Sequence, residues 1–187
     1  MKIKKTIIVL LLCFLSIASF AQKVGEALPA WEEGYMDIHH INTGCGECAY
    51  LILPDGTTML IDAGENKAGI PRHVSPRPNA SRTPGEWIVD YIKAVAPVQN
   101  QKLDYALITH FHSDHMGGVL KTKNESGRYY NTGIITVAEN LQISTLVDRG
   151  FPDYKFLVDT EDKMIKNYFN FLHFTKRRIN VEQFRPG

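Results

Sequence analysis

Leu103-Asp104-Tyr105-Ala106-Leu107-Ile108-Thr109 runs directly into His110-Phe111-His112-Ser113-Asp114-His115, and the reading of this junction decides the fold. An apolar run of strand character hands over to three imidazoles and a carboxylate. Alternate side chains of an extended segment point to one side, so His110 and His112 can converge on one ion where the strand ends, while Asp114 and His115 face elsewhere. Two donor directions in one short loop suit two neighbouring divalent metals, and imidazole with carboxylate suits zinc, or iron or manganese. The chemistry favoured is metal-assisted hydrolysis, with Asp114 orienting a water or taking up its proton. Two plainer readings compete: a surface loop with chance histidines, and a structural zinc site. The chain has only seven histidines, and three stand here, which argues against chance; structural sites draw more on cysteine.

Working outward, Met36 to Asn42 and Ala49 to Leu53 have strand character. Pro54-Asp55-Gly56 supplies a turn, so Thr57 to Asp62 is expected to return antiparallel. Glu65 to Arg82 is polar and rich in proline, which suits either a flap over a site or an ordinary surface loop. Thr83-Pro84-Gly85-Glu86 then combines an N-cap, a proline at the first helical position and a capping glutamate; Trp87, Ile88, Tyr91, Ile92 and Val95 form one apolar face before Pro97 stops the helix. Strand, helix and the histidine-bearing strand make a β-α-β unit. Ligands in layered α/β folds gather beyond the carboxyl ends of strands, where His110 to His115 falls.

Thr109-His110-Phe111-His112-Ser113-Asp114-His115-Met116-Gly117-Gly118 resembles the His-x-His-x-Asp-His metal motif of the metallo-β-lactamase fold hydrolases. The upstream strands, ending in Met59-Leu60-Ile61-Asp62-Ala63-Gly64, look like that family's opening strands and first acidic motif. Gly44-Cys45-Gly46-Glu47 resembles the exported hydrolase domain of the ComEC/Rec2 competence type, where Gly-Gln-Gly-Asp is usual; Cys45 and Glu47 depart from it. The resemblance implies an α/β fold, the four-layer αββα sandwich, and a dinuclear zinc site. His110 and His112 would hold the first metal, Asp114 and His115 the second. Asp62 would anchor the metal loop by hydrogen bonds; from local sequence alone it reads equally well as a turn aspartate. The substrate class implied is a phosphodiester, small or nucleic-acid, or a related ester.

Lys2, Lys4 and Lys5 precede an apolar run from Ile7 to Phe20, and Ser19-Phe20-Ala21 offers small residues before Gln22, the pattern of a signal peptide over residues 1–21. Cys13 follows Leu12 inside that apolar core, which does not suit lipid attachment. Residues 22–187 are then expected to form one exported hydrolase domain, periplasmic or extracellular, without an integral membrane segment. The formal net charge of +1 advertises no polyanion partner, so a nucleic acid would have to be held locally.

Downstream, Gly133 to Val137 reads as a short strand and Ile143 to Arg149 as a helical turn. Asp159 and Thr160 are expected to cap a helix carrying Met164, Ile165, Tyr168, Leu172 and Thr175 on one face, and Val181 to Arg185 reads as the start of a strand. A third histidine and a bridging aspartate, which the resemblance requires, are not evident. His173 sits among Phe171, Leu172 and Phe174 in the helical stretch, and Asp148, Asp153, Asp159 and Asp162 read as turn or helix-start residues. The expectation is therefore the first half of such a fold, incomplete at its carboxyl end. The reading taken is an exported metal-dependent hydrolase, and the alternative is a catalytically weak or inactive remnant serving as a binding or interaction module. Cys45-x-x-Cys48 precedes a strand rather than a helix, against a redox role; a small disulfide or two thiols remain open. Of His39 and His40 on their strand, one is expected to pack and one to face solvent.

Overall fold

The computed structural model of the chain describes residues 25–44, 46–65, 75, 77–98, 100–118, 121–155 and 159–185. The leader with its cleavage site, Cys45 and most of the proline-rich loop lie outside the described residues. In chain order the elements are β1 (Asp37–His40), β2 (Ala49–Ile52), β3 (Thr58–Ile61), α1 (Pro84–Val95), β4 (Leu103–Ile108), α2 (Ser113–Met116), α3 (Gly133–Asn140), β5 (Ile143–Asp148), α4 (Lys163–Thr175) and β6 (Asn180–Gln183).

The six strands form one mixed sheet in sequence order. β1, β2 and β3 pair antiparallel, and β3, β4, β5 and β6 pair parallel. The Asp55 carboxylate accepts from the Thr57 amide at 3.0 Å and fixes the tight turn that reverses β2 into β3. Each parallel step needs a crossover, supplied by α1, α3 and α4 in turn. Helix α1 starts as its sequence dictates: Thr83 caps it, the Glu86 amide donates to Thr83 Oγ1 at 3.3 Å, and the Thr83 amide donates to Glu86 Oε2 at 2.7 Å.

Register explains the two faces of the sheet. Tyr50, Leu60, Ala106 and Leu146 stand side by side across β2 to β5, and all are fully buried. They share one core with Ile88 and Ile92 of α1, Ile134 and Ile135 of α3, and Ile165, Tyr168 and Phe171 of α4. The alternate row, Ile38, Leu51, Met59 and Tyr105, points to the other face. It lies outside that core: Ile38 is 56% exposed and Tyr105 42%, with Leu51 and Met59 half-buried between them. What the described residues build is thus a mixed sheet with helices against one face, and ordered elements continue to Gln183.

Three expectations need correction. Gly133 to Val137 opens helix α3 rather than a strand, because Ile134, Ile135, Val137 and Ala138 are buried on nearly every side in the core shared with α1 and the sheet; packing overrides the strand propensity of β-branched residues. Ile143 to Asp148 is strand β5, since its backbone pairs with β4 from Leu103 against Ile143 to Ile108 against Asp148. Short apolar runs do not separate helix from strand by periodicity alone. Helix α4 is capped by Asp162, whose Oδ1 accepts from the Met164 and Ile165 amides at 2.7 and 3.2 Å; Asp159 instead accepts from the Glu161 amide in the preceding turn.

β5 also corrects the reading of Asp148. It closes an apolar strand, is fully buried, and accepts from the Gly150 and Phe151 amides and from the Tyr154 and Tyr168 hydroxyls, all between 2.7 and 2.8 Å. Every lone-pair direction of that carboxylate is occupied, so it fastens the turn after β5 rather than presenting a ligand.

Candidate metal centre

The site is assembled at the carboxyl edge of β3 and β4. Asp62 follows β3, 1% exposed, in the left-handed backbone region at φ 58°, a conformation Asp tolerates better than most residues. Its Oδ1 accepts from the Thr109 amide at 2.8 Å, and its Oδ2 from Thr109 Oγ1 at 2.7 Å and His115 Nδ1–H at 2.8 Å. An ionised carboxylate only accepts, so the proton of His115 sits on Nδ1 and the lone pair on Nε2. With its own proton directed to Asp62, Thr109 Oγ1 accepts from His110 Nδ1–H at 3.2 Å. That chain leaves His110 Nε2 bare as well.

The backbone of the metal loop is stitched to its neighbours. The Glu47 amide donates to the Asp114 carbonyl at 2.8 Å, the Ala63 amide to that of His115 at 2.7 Å, and the Glu65 amide to that of Ser113 at 3.1 Å. Glycine permits this approach: a Cβ on Gly64 would lie 2.0 Å from the Asp114 oxygen, and one on Gly133 1.8 Å from the Ala63 oxygen. Gly46, in the stretch likened to the competence type, would bring its Cβ to 2.7 Å from the same Asp114 oxygen.

His110, His112 and Asp114 emerge with one ligand atom each, all within 4.8 Å of one another, so this triad can hold one metal ion. The His110 and His112 rings meet edge-on at 4.8 Å, and His115 lies 3.7 Å from His110. Asp114 Oδ2 stands 3.8 Å from His115 Nε2. The sequence paired Asp114 with His115 only; here Asp114 also closes on the two histidines. Partial burial, and then the neighbouring His115 and His112, hold the His110 imidazole below its usual range, which favours the neutral ligand form.

Other candidates fall elsewhere. His173 lies exposed on α4, edge-on to Phe174. His39 packs towards Tyr91, whose hydroxyl is 3.1 Å from its Nδ1, while His40 is exposed beside Glu47. Cys48 is a buried free thiol whose pKa is pushed up by burial first and by Asp62 and Glu47 next, which makes it inert as a nucleophile. Three contributors were not read from the sequence. Thr109 couples Asp62 to His110. Glu65 is 4% exposed, and burial raises its carboxyl to about 8, the nearby Gly85 amide offsetting this only in part. Arg149, after β5, faces the same cavity as His110 and His112. Thr109 had a signal, a hydroxyl directly before the first histidine; the other two depend on packing.

No curated protein matches the chain. Residues 42–127 match the metallo-beta-lactamase superfamily, a stretch that holds Asp62, the close-approach Gly64 and the whole metal loop. No helix among the described residues is long and apolar enough to cross a membrane. With the strand-delivered His-x-His-x-Asp-His loop and its candidate metal-binding triad lying within that match, a metallo-beta-lactamase superfamily domain is present over residues 42–127.

Proposed function

We propose that this chain binds a single divalent metal through His110, His112 and Asp114, and that it is catalytically weak, serving as a metal-dependent binding module. The observation that carries the reading is the triad itself, three ligand atoms within 4.8 Å with two of the three residues exposed. A bound zinc would supply Lewis-acid chemistry there. The chain's own residues would hold it, Thr109, itself held by Asp62, orients the His110 imidazole, and the exposed Asp114 can orient a water. Three ligands on an open edge hold a metal less tightly than a closed four-ligand site. Zinc titration of the full chain is expected to give one equivalent per chain with a Kd of about micromolar, lost in His112→Ala. Two equivalents retained through exhaustive dialysis would overturn the reading.

A dinuclear hydrolase is the second reading, favoured by Asp114 of the triad having its Oδ2 3.8 Å from His115 Nε2. In it His115 joins Asp114 on a second zinc, or iron or manganese, and Asp62 positions His115 from behind. A phosphodiester is its proposed substrate, on the likeness of Gly44-x-Gly46 to the competence type. Brisk turnover of bis(p-nitrophenyl) phosphate with two metals bound would select it. Export is proposed on the basic and apolar leader, and residues 22–187 as the exported hydrolase-like domain; the secreted protein is expected to begin at Gln22 on amino-terminal sequencing, and a retained Met1 would refute it.

A further inference from the structure

We propose that the cavity beside the candidate metal centre binds a small oxyanion-bearing molecule and that Arg149 is the residue that reads the anion. The cavity, about 400 Å³, is lined by His110, Phe111 and His112 of the metal loop, by Met164 and Ile165 at the start of α4, and by Arg149. That volume fits a small ligand rather than a polymer. The sheet explains why these groups meet: Ile108 pairs with Asp148, so the residues after each strand, Thr109 and His110 on one side and Arg149 on the other, leave the same edge side by side.

Two carboxylates, Asp159 and Asp162, also line the cavity. Both are engaged with backbone: Asp162 accepts from the Met164 and Ile165 amides, and Asp159 from the Glu161 amide. Arg149 differs. Among the described residues the ion pairs of arginine involve Arg82 and Arg178, and none forms to Arg149. Its place in the chain is nevertheless fixed, because the four hydrogen bonds to Asp148 fasten the turn that carries it. The exposed Arg149 guanidinium, carried by an anchored turn and without an ion pair among the described residues, suits a planar carboxylate or a phosphate, which it can grip with two parallel hydrogen bonds. Met164 and Ile165 then offer an apolar wall to the remainder of the ligand. The ligand class is therefore a compact carboxylate or phosphate with a short apolar portion. The inference deepens the proposed function by naming what would sit next to the imidazoles, and it rests on that reading only for the metal-facing end.

The test uses the metal-free full chain, so failure of the metal reading does not silence it. Calorimetric titration with phenylphosphonate, benzoate and neutral benzyl alcohol is expected to show binding of at least one anion, with a Kd of about millimolar, and none of the alcohol. The tighter anion identifies phosphate or carboxylate as the group read. Arg149→Gln is expected to weaken that anion about tenfold or more, with partial recovery in Arg149→Lys. Arg177→Gln, on an exposed residue outside the cavity, should leave it unchanged. The melting temperature and zinc stoichiometry of Arg149→Gln should match the parent. Equal anion affinity in Arg149→Gln and the parent, or benzyl alcohol binding as tightly as the anions, would overturn the proposal. Zinc failing to bind while the anion still depends on Arg149 would refute the metal reading alone.

Discussion

Gly64→Ala is expected to destabilise the chain by about 3 kcal/mol or more, the upper range for overpacking, and to abolish zinc binding at the triad. The added methyl would stand 2.0 Å from the Asp114 carbonyl oxygen, 2.6 Å from its carbon and 2.9 Å from the Glu47 amide nitrogen. All three are backbone atoms, so no rotamer change relieves the overlap. The loop carrying Asp114 would have to leave the strand edge, and the Glu47 and Ala63 hydrogen bonds would go with it. Gly127→Ala is the control. That glycine is also special, at φ +70°, yet nothing lies within 4 Å of its would-be Cβ, and its cost should stay near the ~1 kcal/mol of a left-handed alanine. Urea unfolding of both variants decides the matter; comparable losses would show that the close approach at Gly64 is not tight.

Asp62→Ala should remove about 3 to 5 kcal/mol, the range for breaking a buried hydrogen-bonded charge network. The buried carboxylate holds a backbone amide, a hydroxyl and an imidazole, and alanine is also poorly suited to φ 58°. Asp62→Asn separates the two losses. Asparagine tolerates the same backbone conformation and can still accept from the Thr109 amide, but it has one acceptor oxygen where Asp62 uses two. Stability should then fall by only about 1 to 3 kcal/mol, while zinc affinity falls about 10- to 100-fold as Thr109 loses its hold on the His110 ring. Unfolding curves and competitive zinc titration of the two variants test this; an asparagine variant that binds zinc like the parent would contradict a positioning role for Asp62.

The sequence was most legible where one residue does one local thing. Thr83, Pro84 and Glu86 announce a helix start, Asp55-Gly56 a turn, and Leu103 to Thr109 a strand delivering histidines, and each element stands where its local chemistry puts it. It misled where an apolar run was too short for its period to show. Ile134-Ile135-Thr136-Val137 and Ile143 to Val147 exchange helix and strand relative to expectation, because burial from all sides shapes the first and pairing with β4 shapes the second. The site divides in the same way. His110, His112 and Asp114 were readable as a motif, and so was the choice offered at Asp62, anchor or turn. Arg149 was not: its meaning comes from a strand register that brings positions 108 and 148 side by side, a relation forty residues of sequence do not display.

Ile38 and Tyr105 stand exposed at the two ends of a row whose middle members, Leu51 and Met59, are half-buried, so any molecule that covered this row would raise the melting point. Apolar surface left in water forgoes about 25 cal/mol for every Å² that a cover would remove. Any molecule that settles on the folded sheet and not on the unfolded chain adds stability by mass action, about 2.7 kcal/mol at a hundredfold excess over its Kd. With such a cover, heat resistance would be read as a curve against the concentration of the covering molecule.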